Sequence, residues 1–413
     1  MLTSFYTALS GLGANSQAIN VIGNNLANIN TTAFKGSRTM FAELLGGISY
    51  SSDGNPIQTG LGAISAGVSP LFTQGSIMNT GRSTDAAVSG NGFFIVSTGT
   101  GYAYTRAGNF SINGMGELVS GEGFKVAGYM ATGGVISPSA PLGPITIQGN
   151  RSLPPQATTT LGITANLDSQ TAANATFATA VQVYDSLGSA HTVTFTFTKT
   201  GPTDWSWDAT IPAVDTGGLA TAPPVSIGTG NLTFNSAGVL TAPATNPTLA
   251  VAGLANGASN LNITFGVLDP SGNPRLTGNA AASAVSSVTQ DGYAPSSLRD
   301  LAIDADGVIR GIYDNGQVHP LAQLGIANFN NPEGLLKFTG NTFVEAFSSG
   351  APSVGVARTG GRGTVNGSAL ELSNVDIAEQ FTGMIISQRG YQANSRVITT
   401  TDELYQEAIN LKR

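Results

Sequence analysis

Large apolar residues recur at alternating steps of three and four at both ends of this chain, and nearly everything between those ends reads as strands and turns. From Leu2 the series runs through Phe5, Leu9, Leu12, Ser16, Ile19, Gly23 and Leu26, six of the eight positions being apolar. At the other end Ile377, Phe381, Met384, Gln388, Tyr391, Ser395, Ile398, Asp402, Tyr405 and Ile409 keep the same spacing, with Ile385 beside them. Such spacing defines one face of a helix, and two matching stripes predict a coiled-coil pairing of the termini. A helix that merely covers its own core is the plainer reading, but a solvated helix face normally carries Lys and Glu. Here the face with Gln17, Asn20, Asn24 and Asn28 is polar yet uncharged. That points to neighbouring subunits or a confined channel. Gly11, Gly13 and Gly23 each cost about 1 kcal/mol relative to Ala, so the first helix is expected to gain order on assembly. The second could extend some 50 Å at about 1.5 Å per residue.

Between the helices the pattern shifts to period two. Gly90-Asn91-Gly92 precedes the apolar run Phe93 to Val96, and Asp306-Gly307 and Asn315-Gly316 punctuate short strands downstream. Val193, Phe195 and Phe197 alternate with threonines, as in a strand with one solvated face. These signals predict an α+β, mainly β protein in nested layers. Residues 1–30 and 375–413 form a helical polymerisation domain, and 31–70 with 358–374 an extended connector. Residues 71–145 with 285–357 form a middle β domain into which 146–284 insert an outer one.

The chain offers little for chemistry. It has no cysteine, a charged fraction of 10% and a formal charge of -7 without a basic cluster, which argues against disulfides, thiolate chemistry and nucleic-acid binding. A weakly charged surface loses little hydration when a neighbour covers it, which suits dense subunit packing. His191 and His319 stand apart in sequence and read as ordinary histidines without a clustered carboxylate. Asp304, Asp306 and Gly307 lack the remaining ligands of a calcium loop and read as a hairpin turn. No catalytic, cofactor or metal site is expected, and no enzyme activity. The first 34 residues contain no Lys or Arg, so no cleaved secretory signal is expected, and no apolar run suits membrane insertion.

The run Asn24-Asn25-Leu26-Ala27-Asn28-Ile29-Asn30-Thr31-Thr32-Ala33-Phe34-Lys35 resembles the N-terminal signature of flagellar rod and hook proteins. Gln388-Arg389-Gly390-Tyr391-Gln392-Ala393-Asn394-Ser395 resembles the matching terminus of that family. Tyr104 to Phe110 resembles its central β domain, and Val183-Tyr184-Asp185-Ser186-Leu187-Gly188 the inserted domain of its hook branch. Asn25, Asn28, Thr31, Phe34, Lys35, Arg389, Tyr391 and Asn394 are the signature positions. The resemblance implies an extracellular subunit that polymerises with itself into a curved, flexible hollow tube, a universal joint between motor and filament. Export through the flagellar type III apparatus is implied too, with the distal rod protein, hook cap protein and hook–filament junction protein as partners. A straight distal rod is the alternative within the family. The apolar helix stripes are then the polymerisation interface.

Overall fold

A computed structural model describes residues 2–50, 53, 55–147 and 152–410. The chain divides into two compact units. The first comprises Met1–Gly149, Asp300–Ile312 and Val318–Arg413, and the second Asn150–Arg299 and Tyr313–Gln317.

The first unit begins with helix α1, Leu2–Ala27, and ends with helix α2, Ile377–Asn410. Helix α2 starts where Asp376 accepts a hydrogen bond from the Glu379 N–H at 2.9 Å, satisfying an amide the first turn cannot pair. After α1 comes a long antiparallel hairpin, β1 (Ser37–Tyr50) and β2 (Pro56–Pro70). Residues 31–70, read from the sequence as an extended connector, hold this hairpin. Register shifts between Met40 and Phe41 and between Leu44 and Leu45 interrupt the period-two pattern, which hid the strands. A two-stranded ribbon is marginal alone. This one leans on α1, where the Ala63 N–H donates to Ser10 Oγ at 3.3 Å. Gly62, at a φ of +112°, lies so close to Ser10 that a Cβ there would strike the hydroxyl.

Beyond the hairpin, the two halves of the chain close on each other. Ile77–Asn79 pairs with Ala369–Glu371, and Ala86–Ser89 with Thr364–Gly367, so the segment 358–374, read as an extended connector, contributes two short strands. Phe93–Ser97 pairs with Tyr102–Thr105 and with Ile326–Asn328. Phe93, Tyr104, Phe329 and Phe343 form the core beneath them, with rings meeting edge to face at 4.8 to 6.3 Å.

The second unit is a sandwich of two sheets. An antiparallel meander runs through Thr176–Tyr184, Ala190–Lys199, Asp204–Ile211, Val225–Phe234 and Leu240–Ala242. The other sheet centres on Thr160–Asn166, which pairs with Leu261–Gly266 and with Ala284–Gln290. Residues 285–290 therefore belong to this unit and not to the middle domain predicted for them. Val193, Phe195 and Phe197 face inward with Trp205, Trp207 and Phe265, while Thr194, Thr196 and Thr198 sit half-exposed.

Candidate assembly site

The termini meet as an antiparallel pair within the first unit. Asn25 Nδ2 donates to Gln380 Oε1 at 3.0 Å. Further along, Ile22 lies over Gly383, Asn15 over Gly390, and Gly11 against Asn394. As numbering rises on α1 it falls on α2, and the steps again alternate between three and four. This seam is built mainly of small and polar residues, with Ile22 among its members. Ala18 and Ser387 are buried along it. A methyl group at Gly390 would come within 2.8 Å of Asn15 Oδ1, and one at Gly11 within 2.7 Å of Asn394 Nδ2. Small side chains let the two backbones approach.

The predicted apolar stripes lie beside this seam and not in it. Ile377, Phe381, Ile385, Tyr391 and Ile409 are exposed, Ile385 by 57% and Ile409 by 68%. Leu9 is exposed, and Phe5, Leu12, Ile19, Leu26, Met384, Ile398 and Tyr405 are half-buried. The side chain of Leu2 lies outside those described. The sequence reading placed the large residues in the α1–α2 contact, and the structure corrects this. The reason is distance, because Gly and Ala on the facing positions bring the backbones closer than Phe or Ile would allow. Gln17, Asn20 and Asn24 are exposed, and Asn28 is held half-buried by its bond to the Asn24 carbonyl at 2.9 Å.

The signature residues anchor this helix pair to the β-strands. Asn25 Oδ1 accepts from the Ser37 N–H at 2.9 Å, and its amide donates to the Ser37 carbonyl at 2.7 Å. Thr31 Oγ1 donates to Asn28 Oδ1 at 3.1 Å. Phe34 is buried, with the Lys337 ammonium 5.1 Å from its ring centre. Lys35 Nζ donates to Glu371 Oε1 at 2.6 Å and to the Thr73 carbonyl at 2.8 Å, with both charged side chains sealed from solvent. Arg106 lies 3.6 Å from the other Glu371 oxygen and also donates to the Gly90 carbonyl at 2.8 Å. Burial lowers the Lys35 pKa below the usual lysine value, opposed by the Glu371 carboxylate, and burial lowers Arg106 likewise. One carboxylate thus holds two buried cations from distant parts of the chain. Asn374 closes the knot, accepting from the Gly36 N–H at 2.8 Å and donating to the Leu71 carbonyl at 2.8 Å. Arg389 and Tyr391, by contrast, are exposed on α2.

Glu371 was not singled out by the sequence. Its signal was a lone carboxylate in the run Ala369-Leu370-Glu371-Leu372 of a chain poor in charge. His191 is a second correction. Its ring nitrogens lie 3.0 Å from Asp185 and 3.1 Å from Asp215, so it is flanked by two carboxylates inside the second unit. Asp185 reaches it across a tight hairpin and Asp215 from a loop remote in sequence. Asp304 accepts from the N–H groups of Asp306 and Val308 at 3.0 and 2.9 Å, the geometry of a turn.

A helix pair from the two termini, tied to the β-strands of its own unit and leaving large apolar residues of α2 exposed, is the arrangement expected of a subunit of the flagellar axial class. Family models match four stretches along it. Flagella basal body rod protein covers residues 5–35, Flagellar hook protein FlgE/F/G D1 domain 87–166, Flagellar basal body protein FlaE D2 domain 148–293, and Flagellar basal body rod FlgEFG protein C-terminal 366–411. The flagellar hook protein FlgE of Treponema pallidum is 32% identical over the whole of both chains. That of Salmonella typhimurium is 34% identical over 99% of this chain and all of its own. A crystal structure of Helicobacter pylori flagellar hook protein FlgE2 shares the fold, with a TM-score of 0.53 and 17% identity, over 70% of this chain and 99% of that one. The chain belongs to the flagellar hook protein family and is a structural subunit of the hook.

Proposed function

We propose that α1 and α2 form the inner wall of a curved, hollow homopolymer and that their outward apolar residues are its subunit contacts. Leu2, Phe5, Leu9, Leu12, Ile19 and Leu26 act from α1, and Ile377, Phe381, Met384, Ile385, Tyr391, Ile398, Tyr405 and Ile409 from α2. The observation that carries this reading is the separation of two helix faces, with mainly small residues spent on the partner helix and the large stripe residues left exposed or half-exposed. Covering each large side chain contributes roughly 1.5 to 3 kcal/mol, so a repeated lattice gains stability that the monomer lacks. Gln17, Asn20, Asn24 and Asn28 line the channel or an intersubunit contact, where uncharged groups do not hold passing chains.

The division into a terminal helical domain, a linking segment, a middle β domain and an inserted outer β domain separates stiffness from compliance. The inner helices hold the tube while the weakly charged β surfaces slide as it bends and rotates, giving a universal joint that transmits torque. The protein acts outside the cell, without enzymatic activity, beside rod, cap and junction proteins, and leaves through the flagellar type III apparatus.

The test is electron microscopy of the concentrated full chain beside a variant carrying Phe381→Glu and Ile385→Glu. Curved hollow tubes are expected from the first and none from the second, with unchanged circular dichroism of the monomer. Normal tubes from the variant would remove the helix faces from the interface.

A further inference from the structure

Phe347 is the most exposed large apolar side chain among the described residues, at 106%. The turn that displays it is braced. Ser349 Oγ accepts from the Ala346 N–H at 2.9 Å and donates to the Ala346 carbonyl at 2.8 Å. Asn331 Nδ2 donates to the Ser348 carbonyl at 2.9 Å, and Ser348 Oγ to the Gly334 carbonyl at 3.0 Å. A benzyl group held in water by a rigid turn gains nothing for the isolated chain. Rigidly displayed aromatics of this kind commonly anchor protein contacts.

The same unit carries a matching recess. Between α1, β1 and α2 lies a groove of about 370 Å³ whose walls include Ala18, Ile22, Phe41 and Ile386, with Arg38 and Glu379 among its polar members. An apolar space of about 150 Å³ suffices to hold benzene. Phe41 and Ile386 are themselves exposed, so the groove opens to solvent, and full exposure of Phe347 shows that it does not fill the groove of its own chain.

We propose that the groove receives Phe347 from a second copy of this chain. Membership of a self-assembling family supplies a second copy as the occupant. Position supports the pairing, because Ile386 is adjacent to Ile385 on α2 and extends the proposed helix contacts. A knob and a separate recess on one molecule make a head-to-tail contact, which does not close on two copies and propagates into rings or helical filaments. That is the symmetry a tube requires. This inference rests on the self-assembly reading and adds a contact from the β-strands to the helices of a neighbour.

The chain has no cysteine, so cross-linking can be targeted. Full-length Phe347→Cys and Ile386→Cys variants are mixed, polymerised and oxidised, then resolved without reductant. A disulfide-linked dimer that needs both variants and appears only in polymers is expected. Well-formed mixed polymers without that dimer would overturn the contact. Independently, Phe347→Ala should raise the critical concentration for assembly about tenfold, while Phe347→Trp retains assembly and both monomers melt as the unsubstituted chain does. An unchanged critical concentration for Phe347→Ala would also overturn it. Failure of the unsubstituted chain to polymerise would instead remove the self-assembly reading, and this contact with it.

Discussion

The helix pair and the sandwich use their large residues in opposite ways. In the sandwich Phe195, Phe197, Trp205, Trp207 and Phe265 point inward, and half-exposed threonines form the outer face of the strand Ala190–Lys199. In the helix pair Gly383 lies against Ile22, Gly390 against Asn15 and Gly11 against Asn394, with Ala18 and Ser387 buried, and Phe381, Ile385 and Ile409 stand in water. The sandwich completes its core within one chain. In the proposed tube the helices leave theirs for other copies to complete. Apolar periodicity therefore marks what a residue will eventually contact, which need not be a part of the same molecule.

Substitutions and a change of pH probe this difference. Glu371→Gln leaves Lys35 and Arg106 buried without their counterion and should cost about 3 to 5 kcal/mol in the first unit, read by denaturant unfolding. A loss under about 1 kcal/mol would mean that the ionic knot is incidental to docking the termini. Phe195→Ala empties part of the sandwich core and should cost about 3 to 5 kcal/mol. The same measurement on Ile385→Ala should move stability by less than about 0.5 kcal/mol, as at a surface position. Equal losses at the two sites would erase the contrast between the regions.

Acid should act on the sandwich through Asp185. Burial alone would raise its pKa, but hydrogen bonds from Asn256, His191 and the Ser189 and Leu187 N–H groups outweigh that and hold it at about 2. The unfolded chain, with an ordinary value of 3.8, takes up the proton first. This stabilisation is therefore full above pH about 4 and declines as the pH falls towards about 2. Asp185→Asn should flatten that part of the stability profile, and an unaltered profile would exclude the carboxylate as its source. The smallest effect concerns helix propensity. Gly13 and Gly23 have open space where a Cβ would stand, so Ala at either should raise the stability of α1 by about 1 kcal/mol in thermal circular dichroism. No gain at either would show that the native helix already exceeds its intrinsic limit.

Much of the architecture was legible because it follows from local periodicity. Val193, Phe195 and Phe197 marked a half-buried strand, and the three-four spacing marked both helices. The choice of helix face was not legible, since Gly, Ala and Ser carry no hydrophobic signal although they set how closely backbones pack. The β1–β2 hairpin was obscured by its register shifts and Gly62. The Lys35–Glu371 bond was hidden for another reason. It joins residues separated by nearly the whole chain, and nothing at either position specifies the other. His191 illustrates the same point, because Asp215 reaches it only after the sandwich has folded.

The central claim is that the chain pairs its helices through small residues and holds large ones for its neighbours. It is tested most directly by thiol reactivity of two single variants, Ile385→Cys and Ser387→Cys, each measured as monomer and as polymer. The account predicts that the first reacts in the monomer and is protected in the polymer, whereas the second is protected in both. Protection of the Ile385→Cys thiol in the monomer, or its free reaction in the polymer, would contradict it.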